Sequence, residues 1–255
     1  MNAIFVIAEN TVRQTIRQRL FYNVGVFGVG MLLLSMVVGR LTFGYPDRVV
    51  RSIGLSGVSI SLNLIALLIA VSLIHQEIDR KTLFVVLTRP VHRWQYVFGR
   101  YLGLLVTLGL ASVGLTIVYA LTLTASRGTM LSQDFIALST SLVEAAILGG
   151  IGIVLSAFST PMLSSGIGLG LWIACTAIDD VVRLAEKTED PLTIFVTKTA
   201  YYILPNLSRF NWRELAIYKL EPPVGELFMS FGYGALYALG LVALSSAILS
   251  RREMI

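Results

Sequence analysis

The chain has 255 residues, of which 55% are hydrophobic and only 14% charged, with a net charge of +5. Soluble domains carry about 25% charged residues, so a soluble globular protein is excluded. The mean hydropathy of +0.77 marks an all-α integral membrane protein with a single bundle-sized domain, residues 1–255.

In chain order, residues 10–21 come first, with helical periodicity. Val12, Ile16 and Leu20 form an apolar stripe, and Arg13 and Arg17 lie on the other side. That pattern predicts an amphipathic helix in the headgroup plane, its stripe in lipid and its arginines toward anionic phosphates. Three arginines before an apolar run imitate a signal peptide. The run exceeds a 7–15-residue h-region and no A-x-A-like site follows, so cleavage is not expected.

Hydropathy predicts six transmembrane helices, at 20–39, 53–74, 96–123, 136–158, 162–178 and 227–249. About 20 residues at ~1.5 Å rise cross a ~30 Å hydrocarbon core. An even number puts both termini on one side, and lysine and arginine select which. The terminal side carries ten bases and four acids, a net +6, whereas the opposite side carries ten of each. Both termini are therefore expected in the cytoplasm of a multi-pass inner-membrane protein. Because the excess positive charge lies on one membrane face, the basic balance does not point to nucleic acid.

After the second span, residues 77–90 read as a short amphipathic helix. Ile78, Leu83, Phe84 and Leu87 are its apolar positions, Glu77, Asp79, Arg80 and Lys81 its polar ones, and Pro90 stops it. Trp94, Tyr96 and Tyr101 are expected in the interfacial aromatic belt, with Arg93 and Arg100 snorkelling to water. Plain connections need only a few residues, so a structured segment here implies something to grip.

Glu144 is the one carboxylate deep in a predicted span. It reads equally as a functional group and as a hydrogen-bonded carboxylate facing the bundle. Ser59, Ser61, Asn63 and Thr107 are expected to bond between helices, and Gly99-x-x-x-Gly103 and Gly166-x-x-x-Gly170 to be packing faces. Residues 179–226 form a long extracytoplasmic loop. Its apolar stretch 192–204 is too short to span and reads as interfacial or re-entrant. Pro205-Asn206 ends it, and the glycosylation pattern Asn206-Leu207-Ser208 is read as chance.

The sequence contains no Gly-Lys pair, hence no P-loop, and no H-E-x-x-H or G-x-S-x-G. His75 and His92 have no companions at ligand spacing, and the lone Cys175 excludes an intrachain disulfide. No metal or cofactor site is expected, and any energised work requires a partner or an ion gradient.

Glu77, Thr82, Leu83, Leu87, Thr88, Arg89, Pro90, Arg93, Gly99 and Arg100 reproduce the pattern E-x4-T-L-x3-L-T-R-P-x2-R-x5-G-R. With the six spans, the segment 204–211 (LPNLSRFN) and the terminal 250–253 (SRRE), the chain resembles the export-class permeases of ATP-binding cassette transporters. Its branch is similar to permeases associated with multicopper-enzyme maturation. The resemblance implies a homodimer or pseudo-dimer resting on cytoplasmic P-loop ATPase subunits that use ATP and Mg. It also implies that 10–21 is an elbow helix, and that Glu77, Arg80, Lys81, Leu83, Phe84, Leu87 and Arg89 form a coupling helix in the ATPase. The resemblance includes Pro205, Asn206 and Phe210 of the outer loop, and the 48-residue length of 179–226 is expected to form a cap over the exit of a pathway that touches a periplasmic partner. The competing readings are a membrane scaffold that anchors a cytoplasmic partner, and a membrane enzyme using Glu144, which lacks an acid–base companion in the sequence.

The charge split predicts a labelling pattern. In a Cys175→Ala background, Arg127→Cys and Lys187→Cys are expected to react with an impermeant thiol reagent in intact cells. Val85→Cys reacts only after permeabilisation, and external labelling at 85 would reverse the orientation.

Overall fold

The structure is a computed structural model that describes residues 3–42, 45–79, 93–188 and 190–251. Every regular element among these residues is helical. In chain order they are α1 (Ala3–Ile16), α2 (Arg19–Leu41), α3 (Pro46–Asp79), α4 (Arg93–Ala125), α5 (Ser132–Ser156), α6 (Pro161–Thr188), α7 (Pro191–Ile203), a 3-10 turn (Ser208–Phe210), α8 (Arg213–Tyr218) and α9 (Val224–Arg251). Six of them, α2 to α6 and α9, are long and apolar enough to cross a membrane, as the hydropathy pattern predicts.

Helix boundaries follow local chemistry. Pro46, Pro161 and Pro191 each open a helix, where a missing N–H costs nothing and φ is already set. Asp190 caps α7 by accepting the Thr193 N–H at 3.1 Å, and this bonding with Thr193 holds its exposed carboxyl below the usual range. Between α4 and α5 the chain turns through Arg127 at φ 60°, and the Gly128 N–H returns to the Leu123 carbonyl at 2.9 Å. This is the left-handed stop common at helix ends.

Two helices make the centre. In α3 and α5, 72% of the most apolar window is buried, against 17–33% in α2, α4, α6 and α9. Small residues permit the close contact: a Cβ at Gly152 would lie 2.8 Å from the Ala70 Cβ and 3.2 Å from the Leu67 carbonyl oxygen. Around this pair, α2 and α4 pack on α3, α6 touches both central helices, and α9 closes against α5 and α4. The outward stripe of α4 (Val106, Leu110, Val113, Ile117, Leu121) is bare of protein, as a lipid-facing surface is.

The amino-terminal helix differs from its predicted form. It begins at Ala3 rather than residue 10 and ends at Ile16, because Gln18 adopts an extended conformation (φ −77°, ψ 134°). Leu20 therefore belongs to α2, where it is exposed, while Val12 and Ile16 are half-buried. The covered face is polar instead: Thr11 and Thr15 are buried against α4. Gly99 and Gly103 admit the helix, since a Cβ at Gly103 would meet the Thr11 Cβ at 2.5 Å and the Ala8 carbonyl oxygen at 2.8 Å. The second predicted small-residue face, Gly166 and Gly170, meets nothing within 4 Å.

This docking overturns the expected belt at the start of α4. Only Trp94 is exposed there, and Tyr96 and Tyr101 are buried. The Tyr101 hydroxyl donates to the Ala146 carbonyl of α5 at 3.0 Å. Arg100 does not snorkel to water; it is buried and donates to Thr11 Oγ1 at 3.1 Å and Gln14 Oε1 at 2.9 Å. By covering α4, the α1 helix turns what would be an interfacial face into an interior one. Ser61 and Thr107 also depart from expectation, since each bonds a carbonyl of its own helix, Gly57 and Gly103.

At the end of the bundle away from the termini, Arg51 and Asp134 form an ion pair with both side chains essentially unexposed. The charge census placed both among the solvated residues of that face, and the fold buries them. Arg51 also donates to the Thr129 carbonyl. The carboxylate accepts the Tyr119 hydroxyl at 3.0 Å and the Leu131 N–H at 2.8 Å. One knot thus joins α3, α4 and the start of α5. Removing one partner of such a pair leaves an uncompensated buried charge, costing about 3–5 kcal/mol. Asp134→Ala is therefore expected to lower the unfolding midpoint in detergent sharply. Glu186→Ala, which breaks the exposed 3.4 Å pair with Lys198, is worth at most ~1 kcal/mol. Equal effects in the two variants would show that the knot carries no special stability.

Candidate functional site

Three constellations lie where the fold brings distant segments together. The first surrounds Glu144, in the middle of α5 and 3% exposed. Its Oε1 accepts Asn63 Nδ2 at 2.8 Å and Trp172 Nε1 at 3.2 Å, and its Oε2 accepts Ser59 Oγ at 3.4 Å. Ser59 and Asn63 come from α3 and Trp172 from α6. A carboxylate out of water is costly unless hydrogen-bonded and charge-compensated. Three neutral donors supply the first requirement. Arg213, at the start of α8, brings a cation to the same face of α3, donating to Ser56 Oγ at 3.2 Å. Ser59 and Asn63 bridge helices as predicted. Trp172 and Arg213 were not foreseen, although the stripe Ser52, Ser56, Ser59, Asn63 at i, i+4, i+7, i+11 gives a polar face to α3 that is visible in the sequence.

The second constellation is the loop 179–226. α6 continues ten residues past the predicted end of its span, to Thr188. At ~1.5 Å per residue its 28 residues reach about 42 Å, more than a ~30 Å hydrocarbon core needs. α7 returns along this extension, with Lys198 3.4 Å from Glu186. The apolar stretch 192–204 thus forms a hairpin arm with α6 instead of entering the bundle as a re-entrant segment. The arm leaves Leu192, Phe195, Val196, Tyr202 and Ile203 exposed.

Below the arm, 204–212 folds back onto the bundle as a plug. Asn206 Nδ2 donates to Asp179 at 2.7 Å, its N–H donates to the Tyr233 hydroxyl at 3.0 Å, and Ser208 Oγ donates to the other Asp179 oxygen. The Leu207 N–H reaches the Cys175 carbonyl at 3.2 Å. Leu207 and Phe210 are 1% exposed and fill the space between α5, α6 and α9. Asn206 is 4% exposed, so its amide serves this lock and is not presented for glycosylation. Asn206 and Phe210 are thereby placed as the lock and the anchor of the plug. Pro205, also buried, ends α7 and turns the chain into it.

The third is the α1 dock, where Arg100 holds Thr11 and Gln14. Arg13 points away, paired with Glu9 at 2.6 Å in an exposed i,i+4 bridge, and Arg17 is exposed at the break before α2. The predicted coupling residues lie mostly outside the described residues. Glu77 falls in the last turn of α3, while Arg80, Lys81, Leu83, Phe84, Leu87 and Arg89 belong to 80–92, between the end of α3 and the start of α4. Among the described residues no three His, Cys, Asp or Glu side chains converge as a metal cage.

Together the three constellations describe a membrane bundle with a buried carboxylate at its centre, a cap formed by 179–226 at one end and the α1 dock on α4. Comparison with known proteins points the same way. The family model described as "ABC-2 family transporter protein" matches residues 5–254. A relative from Stutzerimonas stutzeri, "Probable ABC transporter permease protein NosY", is 26% identical over 236 residues, covering 83% of each chain. The match runs over nearly the whole length and includes every span and the outer cap; this chain belongs to the ABC-2 family of transporter proteins, as the transmembrane subunit of an ABC transporter.

Proposed function

We propose that this subunit works as one of two permease copies, with ATP hydrolysis by a separate cytoplasmic P-loop subunit driving export or force transmission through the bundle. The observation that carries the reading is mechanical. The segment 80–92 joins two rods, α3 of 34 residues and α4 of 33, each about 50 Å long. α3 is central to the bundle, and α4 carries both the α1 dock and the Tyr119 contact of the outer knot. A displacement imposed on 80–92 is therefore delivered to the far end of the molecule through packed helices, which are stiff because interiors are close-packed. The sequence carries no P-loop, which supports the reading that nucleotide chemistry, with its ATP and Mg, belongs to a partner subunit.

In this reading Leu83, Phe84 and Leu87 are the apolar anchors in the ATPase groove, ringed by Glu77, Arg80, Lys81 and Arg89. The termini face the cytoplasm, and α1 with Arg13 and Arg17 rests on the inner leaflet. The exposed apolar arm α6–α7 faces outward, where it meets a periplasmic partner. Exposed apolar surface of this kind on an otherwise capped end marks an interaction face.

Anchor residues dominate interfaces, and truncating a buried aromatic costs about 2–4 kcal/mol, roughly 30- to 1000-fold in affinity. Phe84→Ala with Leu87→Ala is expected to abolish co-purification of the ATPase, whereas Leu236→Ala, on the bare face of α9, leaves it intact. Undiminished ATPase recovery with the double variant would overturn the docking assignment.

The arm is separable by design of the fold, because Asp179 and Asn206 already meet at its base. Replacing residues 181–202 by a short Gly/Ser linker is expected to keep the bundle folded and the ATPase bound while transport falls. Unchanged transport would show that the arm has no part in it.

A further inference from the structure

Arg213 and Glu144 hold neighbouring hydroxyls on one face of α3, Ser56 and Ser59, yet the guanidinium and the carboxylate are not paired with each other. The guanidinium is held elsewhere: Nη1 donates to Ser56 Oγ at 3.2 Å and Nε to Asn211 Oδ1 at 2.9 Å. Ser56 lies three residues outward of Ser59 on α3, and Ser59 bonds Glu144. The cation thus waits one turn above the anion, a step of about 4.5 Å along the helix. The hold on Ser56 is long and the one on Asn211 is of ordinary length, and the carboxylate's hydrogen bonds come from the neutral Ser59, Asn63 and Trp172. In a low-dielectric interior this leaves a strong attraction unspent.

The surroundings are unsettled in the same way. Trp212 Nε1, beside Arg213 on the cap, and Asn63 Oδ1, beside Glu144 on α3, are both buried without a hydrogen-bond partner. Buried polar atoms are rarely left unpaired, and those that are call for an explanation. α8 itself rests directly on α3 and α5, with Ala216 fully buried against them.

We infer that Arg213 and Glu144 form a two-station latch, in which the cap helix α8 rests with Arg213 on Ser56 or closes with Arg213 on Glu144, drawing the outer cap onto the α3–α5 pair. The inference rests on the transport reading only for its purpose, which is to close the outer end of the bundle during the cycle. The latch itself is a property of this chain alone. Closure exchanges two neutral hydrogen bonds for an ion pair in a dry site, and it lets the cap follow any shift of α3 that begins at residues 80–92.

The test is the reactivity of Ser52→Cys, one turn outward of Ser56 on the same face of α3 and half-buried. It uses the full chain in nanodiscs with Cys175→Ala and an impermeant maleimide. Glu144→Gln keeps the shape and the Asn63, Ser59 and Trp172 contacts but removes the charge. It is expected to raise the labelling rate several-fold, and Arg213→Gln to raise it equally. The double variant should be no faster than either single one, and Arg213→Lys should restore the slow rate. Thermal unfolding of each variant shows whether the fold is kept. A rate unchanged by either substitution in folded protein, or rates that multiply in the double variant, would overturn the latch. Because labelling needs neither ATP nor a partner, a latch with no ATP-driven transport would refute the transport reading alone.

Discussion

The structure depends on the requirement that polar and charged groups placed in a hydrocarbon-depth interior find their hydrogen-bond partners within the chain. The contact between α3 and α5 meets that requirement twice. At the outer end Arg51 and Asp134 neutralise each other and are finished by Tyr119, Thr129 and Leu131. Ten residues deeper on α5, Glu144 takes donors from two other helices. Lipid offers no hydrogen bonds, so these partners fix the rotation and register of α3 against α5 more tightly than apolar packing alone. Hydrophobic side chains between helices gain little over lipid contact, and small residues that bring backbones together matter more. Gly152 against Ala70 and Leu67 is that device here.

The polar face of α3 extends this logic outward. Ser56 engages Arg213 of the cap, while Ser59 and Asn63 engage the buried carboxylate. One helix therefore addresses the cap and α5 along a single stripe, and the knot through Arg51. Below it, the same helix runs on to Asp79, so a single 34-residue rod carries the stripe, the cap contact and the central packing.

The amino-terminal helix shows how strongly context governs amphipathicity. Its apolar stripe suggests lipid, yet the buried residues are Thr11 and Thr15. Gly99 and Gly103 bring the α1 and α4 backbones close, and at that distance threonine fits where leucine would clash. Arg100, a charge expected in water, then becomes the clamp, since its hydrogen bonds to Thr11 and Gln14 are shielded.

The sequence by itself determined the number of membrane helices, their approximate ends and the lack of a P-loop motif, because hydropathy, proline and Gly-Lys content are local properties of the chain. It also marked Glu144 as unusual and pointed to Asn63 and Ser59 as bridging groups. Only the tertiary structure decided what those groups meet. Trp172 and Arg213 lie 28 and 69 positions from Glu144, Asp134 lies 83 from Arg51, and Asp179 lies 27 from Asn206. No periodicity within a window can pair residues at such separations. Pairing depends on which helix faces turn toward one another, and that is set by the summed packing of the whole bundle.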